Sequence, residues 1–239
     1  MMVGFSRIES DRLNGCLDRL TPHLEMERVA LTGGVGMQAG LAALGHFGVR
    51  HHVADLDLVA TSLDAVSSSV ADRFLVSHYH VAGAGVPKFM IQLFDPESRI
   101  RIDVFPDLAG SVVDARPTEI GQHRMLVLPL DKIFEHKIHT LLRASPEAPI
   151  DPKHVRDAQY LGAVLSRPVP EVSEATVVPD VYGVDDDSCD RCALSSHPAW
   201  PLAPKERTFE ILGWNVRSIL DGREQDQALR SVAEVKRRY

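Results

Sequence analysis

The stretch that decides the fold is VALTGGVGMQAGLAALGHFGVRHHVADLDLVA, which runs from Val29 to Ala60. It opens with a short apolar run typical of strands, and Gly33 and Gly34 end that run. Apolar residues then recur at the spacing of one helix face, and after a histidine pair they alternate with Asp55 and Asp57. The pattern predicts a strand, a glycine turn, a helix and a second strand whose two carboxylates share one face.

The same stretch contains the segment with the strongest claim to be a membrane span. Val29–Val49 holds no charged residue and is long enough to cross a bilayer. It also holds six glycines, together with Thr32, Gln38 and His46, and would make a poorly hydrophobic membrane helix. We therefore expect a strand, a turn and a buried helix here, and no membrane partner.

The elements along the chain predict an α/β (α+β) fold, with a mixed β-sheet core flanked by helices and a helical C-terminal region. We expect helices at 7–20, 35–47, 63–72, 131–142, 151–165 and about 205–238, and strands at 28–31, 53–60, 74–81, 88–94, 99–105 and 125–128. These elements divide the chain into a core at 1–128, a helical region at 129–167 and a segment at 168–239. The last segment contains a linker, a Cys-x-x-Cys pair and C-terminal helices.

Composition and charge exclude several classes of protein. Of the 239 residues, 44% are hydrophobic, which excludes collagen, a bare coiled coil and disorder throughout. The formal net charge of −7 argues against nucleic-acid binding by bulk electrostatics, although a local basic groove remains possible. Three cysteines are too few for a disulfide scaffold, and no signal-peptide pattern is visible. We therefore expect a cytoplasmic protein.

Three carboxylates form the most informative constellation in the sequence. Asp55 and Asp57 project from one face of a strand, and two like charges this close repel each other unless a cation lies between them. Oxygen ligands of this kind suit Mg²⁺. Asp103, on a later strand, is either a third ligand or a surface residue paired with Arg101. An isolated Asp-x-Asp pair is more often the solvated face of an edge strand.

The glycine pair is the second informative feature. Gly33 and Gly34 lie between a strand and a helix N-terminus, where backbone N–H groups and the helix dipole favour phosphate. Taken alone, the pair is more simply an ordinary tight turn. The order of strand, glycine pair, helix, Asp-x-Asp strand and later Asp strand is more specific than any of its parts.

This order resembles the nucleotidyltransferase superfamily and, within it, the AbiEii-type (type IV toxin) nucleotidyltransferases. The similarity covers about residues 25–165 and has two halves. The first half consists of Thr32-Gly33-Gly34, Asp55-Leu56-Asp57 and Ile102-Asp103-Val104. The second half is similar to the family's lysine-containing helix and to its following basic–Asp–x–x–x–Leu helix; it consists of Lys137-Ile-His-Thr-Leu-Leu-Arg143 and Lys153-His-Val-Arg156-Asp157-Ala-Gln-Tyr-Leu161.

The resemblance implies a Mg²⁺-dependent enzyme that transfers a nucleotidyl group from an NTP to an acceptor such as tRNA, with a cognate antitoxin as a protein partner. It implies that Asp55 and Asp57 hold Mg²⁺ against the triphosphate, and that Asp103 completes a second metal site or activates the acceptor hydroxyl. Lys137 would neutralise the phosphates as pyrophosphate leaves. Asp157 would orient Lys137 or assist the acceptor.

One position departs from the family pattern. The family often has Ser or Thr directly after the paired glycines, in contact with the nucleotide phosphates, and here that residue is Val35. The backbone N–H groups of Gly33 and Gly34 remain available for phosphate, but the hydroxyl contact is lost. This departure makes a weakened or altered nucleotide site one of the expectations from the sequence.

A second candidate metal site lies towards the C-terminus. Cys189 and Cys192 form a Cys-x-x-Cys pair, and His197 follows them. These residues are typical ligands of a structural Zn²⁺, which takes four ligands, so the nearby sequence supplies three. The alternatives are a redox pair or two inert residues.

Two other functions stay open at this point. A small-molecule nucleotidyltransferase of the aminoglycoside-modifying kind shares the glycine turn and the Asp-x-Asp pair. An acceptor tRNA predicts an Arg-lined groove beside Asp55, whereas a small acceptor predicts a closed acidic pocket. The other alternative is a catalytically inactive binding protein of the same fold with a zinc-binding module, which the substitution at Val35 favours.

Overall fold

The computed structural model describes residues 5–46, 48, 53, 55–80, 89–145, 150–173, 176–177, 205–211 and 214–220. In this part of the chain the helices are α1 (Arg7–Leu20), α2 (Gly33–Ala43), α3 (Leu130–Leu142) and α4 (Pro152–Leu165). The strands are β1 (Val29–Leu31), β2 (Asp55–Ala60), β3 (Leu75–His80), β4 (Met90–Asp95), β5 (Ile100–Pro106), β6 (Arg116–Ile120), β7 (His123–Val127), β8 (Lys205–Ile211) and β9 (Trp214–Leu220).

Strands β1 to β7 form one mixed sheet in the order β3-β4-β5-β2-β1-β7-β6. The pairs β2–β5 and β1–β7 are parallel, and the other neighbours are antiparallel. Helices flank this sheet, so the predicted α/β (α+β) class with a mixed sheet core is confirmed. Strands β2 and β5, which carry the three carboxylates of interest, lie side by side in the middle of the sheet, because β3 and β4 lie beyond β5.

The two faces of the sheet are buried against different helices. Leu56 and Leu58 of β2 belong to an apolar cluster with Leu13 and Leu17 of α1. Val59 of β2 belongs to a second cluster, with apolar residues of α2, α3 and α4. Because side chains alternate along a strand, Asp55 and Asp57 share the face of Val59, on the side of α3 and α4.

Several predicted elements agree closely with the structure. Helix α1 has the predicted bounds, and Ser6 caps it by accepting a hydrogen bond from the Glu9 N–H. Helix α4 begins as predicted: the Asp151 side chain accepts from the Lys153 N–H at 2.7 Å, and Pro152 occupies the first turn. Helical spacing was sufficient to predict α1, although Ser6 and not the expected Ser10 or Asp11 caps it, and the cap and proline signals were sufficient to predict the start of α4.

The helix predicted at 63–72 is wrong, since two short 3-10 turns lie there instead. They flank Val66, which forms a bridge with Leu24, and the Ser67 side chain caps the second turn by accepting from the Ser69 N–H. Serine side chains compete for backbone hydrogen bonds in this way and interrupt helices. The sequence pattern also missed β6, whose Pro117 is tolerated because β6 is at the edge of the sheet.

The predicted C-terminal helices are wrong for the part of the tail that the structure describes. Strands β8 and β9 pair antiparallel, from Lys205 opposite Leu220 to Ile211 opposite Trp214. The two strands contain several aromatic and β-branched residues, which favour strands. Residues 221–238 of the predicted helical region lie outside the described residues.

The uncharged segment that begins at Val29 forms β1 and α2, as expected. Gly40 of α2 lies against α3, where an added Cβ would come within 2.7 Å of the Leu130 side chain. A helix with small residues at such positions packs closely on its neighbour inside the protein. None of the helices in the described residues combines the length and the apolar character that crossing a bilayer requires.

Candidate active site

The site begins with two carboxylates of neighbouring strands. Strands β2 and β5 run parallel in a register that places Asp57 opposite Asp103. Residues paired in this way project from the same face of the sheet, so the two carboxylates are neighbours. Asp103 is buried, at 4% exposure, and Asp57 is partly buried. The structure therefore brings together two of the three predicted ligands across 46 residues of sequence.

Burial and mutual repulsion raise the pKa of both carboxyl groups. Burial is the largest cause for Asp57, followed by the charges of Asp55 and Asp103, and together they raise its pKa to about 7. Lys153 and Lys137 act in the opposite direction on this group. Burial also raises the pKa of Asp103, against the effects of Arg101 and of a hydrogen bond from Gln92. A cation bound between Asp57 and Asp103 would offset the free-energy cost of keeping two buried, neighbouring carboxyl groups ionised.

Gly33 is required by the position of Asp57. A Cβ on Gly33 would lie 1.8 Å from Oδ2 of Asp57, and the backbone of Gly33 has φ of +60°. The Asp57 carbonyl also accepts a hydrogen bond from the Thr32 N–H at 3.0 Å. The glycine thus allows the carboxylate to lie against the first turn of α2, a role that the sequence pattern did not predict.

The N-terminus of α2 lacks a side-chain cap. Thr32 is the N-cap residue, and its side chain makes no capping hydrogen bond to the helix. The first N–H groups of a helix have no partner within the helix, and the dipole favours negative charge there. Val35 is buried in the core at 2% exposure, so the position that carries a hydroxyl in the family faces inward in this chain.

Two cations surround Asp55. Its Oδ2 lies 3.3 Å from Nη2 of Arg101 and 3.3 Å from Nζ of Lys153. The Nε of Arg101 lies 3.0 Å from Oδ2 of Asp103. One expectation for Asp103 is a surface residue paired with Arg101. The pairing with Arg101 is present, but Asp103 is buried and does not lie on the surface. The sequence pattern gave no role to Lys153, although it lies one helical turn before Asp157, at i,i+4 spacing.

Lys137 and Asp157 form an ion pair between α3 and α4. The Lys137 Nζ lies 2.7 Å from Oδ2 of Asp157, and Lys137 is buried at 7% exposure. The predicted pairing of these two residues is therefore present in the structure. A lysine this buried is rare unless it is paired, and here its charge also acts on Asp57.

His154 lies beside these cations on α4. Burial, together with the charges of Lys137 and Lys153, lowers the pKa of its imidazole, so the ring is neutral at pH 7. A neutral imidazole offers one hydrogen-bond donor and one acceptor at the border of the site. The sequence pattern did not single out this residue.

The donor set fits a hard divalent cation. Asp103 Oδ1 is buried and accepts no hydrogen bond within the described residues. Asp57 is ionised only at a cost, and Gly33 leaves space for its carboxylate. Carboxylate oxygens beside a space open to water and phosphate are the ligands that Mg²⁺ prefers. The Asp55 carboxylate instead contacts Arg101 and Lys153. The described residues contain no group of three or more His, Cys, Asp or Glu side chains arranged around one metal position.

The candidate zinc ligands Cys189, Cys192 and His197 lie outside the described residues. The third cysteine, Cys16, lies on the buried face of α1, and burial raises the pKa of its thiol to about 12. It therefore packs as a small apolar residue.

Comparisons of this chain with models of known protein families, with curated proteins and with solved structures found no significant match.

Proposed function

We propose that the chain is a divalent-metal-dependent nucleotidyltransferase, which transfers a nucleotidyl group from an NTP to an acceptor hydroxyl. The observation that carries this proposal is the pairing of Asp57 with Asp103 across β2 and β5, next to the N-terminus of α2. A carboxylate pair suits a metal, and a helix N-terminus suits a phosphate. A polyphosphate with a bound metal ion requires a carboxylate pair and a helix N-terminus that lie next to each other.

The NTP would bind between α2 and the two carboxylates. The first backbone N–H groups of α2, at Gly33 and Gly34, would donate to phosphate oxygens. Asp57 and Asp103 would hold Mg²⁺, and Mg²⁺ supplies charge neutralisation and alignment of the triphosphate when it is bound. Lys137, fixed by Asp157, would place a positive charge where the leaving pyrophosphate gathers negative charge.

The reaction requires a hydroxyl oxygen to bond to the α-phosphorus while the bond from that phosphorus to the pyrophosphate oxygen breaks. The hydroxyl proton must go to a base. Oδ1 of Asp103 is assigned to the metal in this arrangement, so another group must take the proton. His154, whose pKa burial and the nearby lysines lower, would serve as this base at the border of the site.

Two classes of acceptor are proposed for the nucleotidyl group. We propose tRNA first, in keeping with the resemblance, and an aminoglycoside-type small molecule second. Helices α3 and α4 pack on the face of the sheet that carries the site, and these helices and the residues just after them carry several basic residues, namely Lys137, Arg143, Lys153, Arg156 and Arg167. Such side chains favour a polyanionic acceptor, despite the net negative charge of the chain.

A non-catalytic nucleotide-binding protein is the second candidate function. It is favoured by the two cations at Asp55, which compete with a metal for that carboxylate. Such a protein would bind an NTP at α2 and transfer nothing.

The test is an incubation of the chain with each α-³²P-labelled NTP and Mg²⁺, with total tRNA in one series and small hydroxyl-bearing acceptors in the other. We expect transfer of label by the wild type, and a loss of at least about 100-fold in Asp57→Ala, because the variant lacks a metal ligand. Asp64→Ala removes an exposed carboxylate that pairs with Arg28 and should transfer label normally.

Label on tRNA alone supports the first acceptor, and label on small molecules alone supports the second. Binding of an NTP without transfer to any acceptor would establish the non-catalytic candidate. Equal transfer by the wild type and Asp57→Ala would exclude this site as the catalytic centre.

A further inference from the structure

The guanidinium of Arg101 occupies a position between two of the three carboxylates. Its Nη2 lies 3.3 Å from Oδ2 of Asp55, and its Nε lies 3.0 Å from Oδ2 of Asp103. Asp55 and Asp103 lie on neighbouring strands, and the arginine precedes Asp103 by two residues on the same face of β5. The guanidinium is planar and permanently charged, and its N–H groups form a rigid fork that suits the bridging of two carboxylates.

The three carboxylates therefore differ in which of their oxygens can bind a metal. Asp55 Oδ2 is shared by Arg101 and Lys153. Asp103 gives Oδ2 to Arg101, while its Oδ1 is buried and accepts no hydrogen bond in the described part of the chain. The side chain of Asp103 is only 6% exposed, so water does not readily replace the missing donor. Asp57 lies opposite Asp103 and against Gly33.

We propose that this site takes a single divalent cation, held by Asp57 and by Oδ1 of Asp103, and that Arg101, with Lys153, permanently fills the place of a second one at Asp55. This inference rests on the proposed function and specifies its metal requirement. Sites with two metals hold them about 3.5–4 Å apart through shared carboxylates. Here the guanidinium of Arg101 occupies the bridging position between Asp55 and Asp103.

The charge of the site supports this assignment. Three ionised carboxylates and two cationic side chains leave one negative charge, which a single divalent cation converts to one positive charge. A second divalent cation would have to displace Arg101 or lie beside it, and like charges at such distances in a partly buried site repel strongly. The proposal also accounts for Asp55, whose carboxylate would position Arg101 and Lys153 while Asp57 binds the metal.

The inference is tested by counting bound Mn²⁺, whose free form is read directly by electron paramagnetic resonance. The full chain is titrated with Mn²⁺ in the absence of nucleotide, as the wild type and as Arg101→Gln, Asp57→Asn and Arg28→Gln. Arg28→Gln is the matched control, because it removes an exposed arginine that pairs with Glu25 and Asp64 away from the site. Circular dichroism confirms that each variant is folded.

We expect one Mn²⁺ per chain in the wild type and in Arg28→Gln, and a loss of that site in Asp57→Asn. Arg101→Gln frees Oδ2 of both Asp55 and Asp103, so it should gain a second Mn²⁺ within about 100-fold of the first in affinity. Two Mn²⁺ in the wild type, or one in Arg101→Gln, would overturn the inference and leave the proposed function standing. No Mn²⁺ in the wild type would overturn both.

Discussion

Two buried carboxylates of the same sheet, Asp95 and Asp103, have opposite surroundings. Asp95 ends β4 and is 0% exposed, yet both of its oxygens are bonded. Arg19 of α1 donates to them at 3.2 and 2.5 Å, the Glu97 N–H donates at 3.2 Å, and the Ser98 hydroxyl also donates. Asp103 has one oxygen against Arg101, and the other accepts no hydrogen bond in the described residues.

This difference in hydrogen bonding distinguishes a carboxylate that stabilises the fold from one that is available to bind a ligand. The bonds to Asp95 hold the turn between β4 and β5 against α1, and they leave no acceptor site for anything else. Asp103 and its neighbour Asp57 are held at a cost that raises their pKa. A folded protein tolerates such a cost where the groups serve binding or chemistry. Four predictions for the free energy of unfolding test this distinction.

The largest effect is expected for Asp95→Asn. The change removes the charge that compensates Arg19 and weakens several hydrogen bonds at a fully buried position, so the free energy of unfolding should fall by about 3 kcal/mol. The measurement is urea unfolding followed by circular dichroism. Glu97→Gln, which removes the exposed partner of Arg19, is the control and should cost less than about 1 kcal/mol. Equal losses in the two variants would contradict the structural role of Asp95.

The next effect concerns Gly33→Ala. Its Cβ would overlap Asp57 Oδ2, and its positive φ adds backbone strain, so the variant should lose about 2 kcal/mol more than Gly110→Ala. Gly110 is a matched control, because it has φ of +66° and no atom within 4 Å of its added Cβ. Similar unfolding free energies in the two alanine variants would show that Asp57 does not lie against α2. Mn²⁺ affinity should fall only in Gly33→Ala.

A smaller effect of opposite sign is expected for Asp57→Asn. The folded pKa of Asp57 is about 7, and that of an unfolded Asp is about 3.9. Between these values the folded state holds a proton that the unfolded state lacks, so the wild type loses stability as the pH rises from about 4 to 7. Asp57→Asn removes this loss and should be more stable than the wild type by at least about 1 kcal/mol at pH 8 without metal, since the folded and unfolded pKa values, which differ by about three, set an upper bound of about 4 kcal/mol.

Thermal unfolding at pH 5 and pH 8 measures this difference, and a gain of 1 kcal/mol corresponds to a rise in Tm of roughly 2–4 °C for a domain of this size. The gain should be absent at pH 5, where Asp57 is largely protonated in the wild type. A variant less stable than the wild type at pH 8 would place Asp57 in the same class as Asp95.

The smallest effect on stability is expected for Lys137→Met. Methionine keeps most of the apolar stem of the buried lysine, and its partner Asp157 retains 16% exposure to water. The free energy of unfolding should therefore fall by about 1 kcal/mol, less than for a fully buried pair. Nucleotidyl transfer should fall by at least about tenfold, because the cation near the leaving group is gone. Lys132→Met, at an exposed pair on the same helix, is the control for both measurements.

Much of the fold was predictable because its signals are local. The helical spacing of α1, the cap of α4 and the alternation in β2 depend on residues close in sequence, and all three elements appear where the pattern predicts them. The hairpin of β8 and β9 was missed because its residues also fit a helical spacing. Strand β6 was missed because Pro117 is compatible with a strand only at an edge, and the edge is a property of the whole sheet.

The site was predictable in its residue types and not in its contacts. Asp55, Asp57 and Asp103 were all selected by sequence, but their different partners depend on the register of β2 against β5. Lys153 reaches Asp55 across 98 residues of chain, a distance over which no periodicity carries information. The role of Gly33 in leaving space for Asp57 likewise appears only when β2 and α2 are placed together.

The parallel pairing of β2 with β5 has a consequence for how the protein can change its length. The chain between β2 and β5 forms β3 and β4, which lie on the far side of β5 from β2 in the sheet. An insertion or deletion in the loops of this stretch leaves Asp57 opposite Asp103. One added residue inside β2 or β5 turns every following side chain to the other face and separates the pair. Length variation among descendants of this sequence is thus permitted between the two strands and forbidden within them.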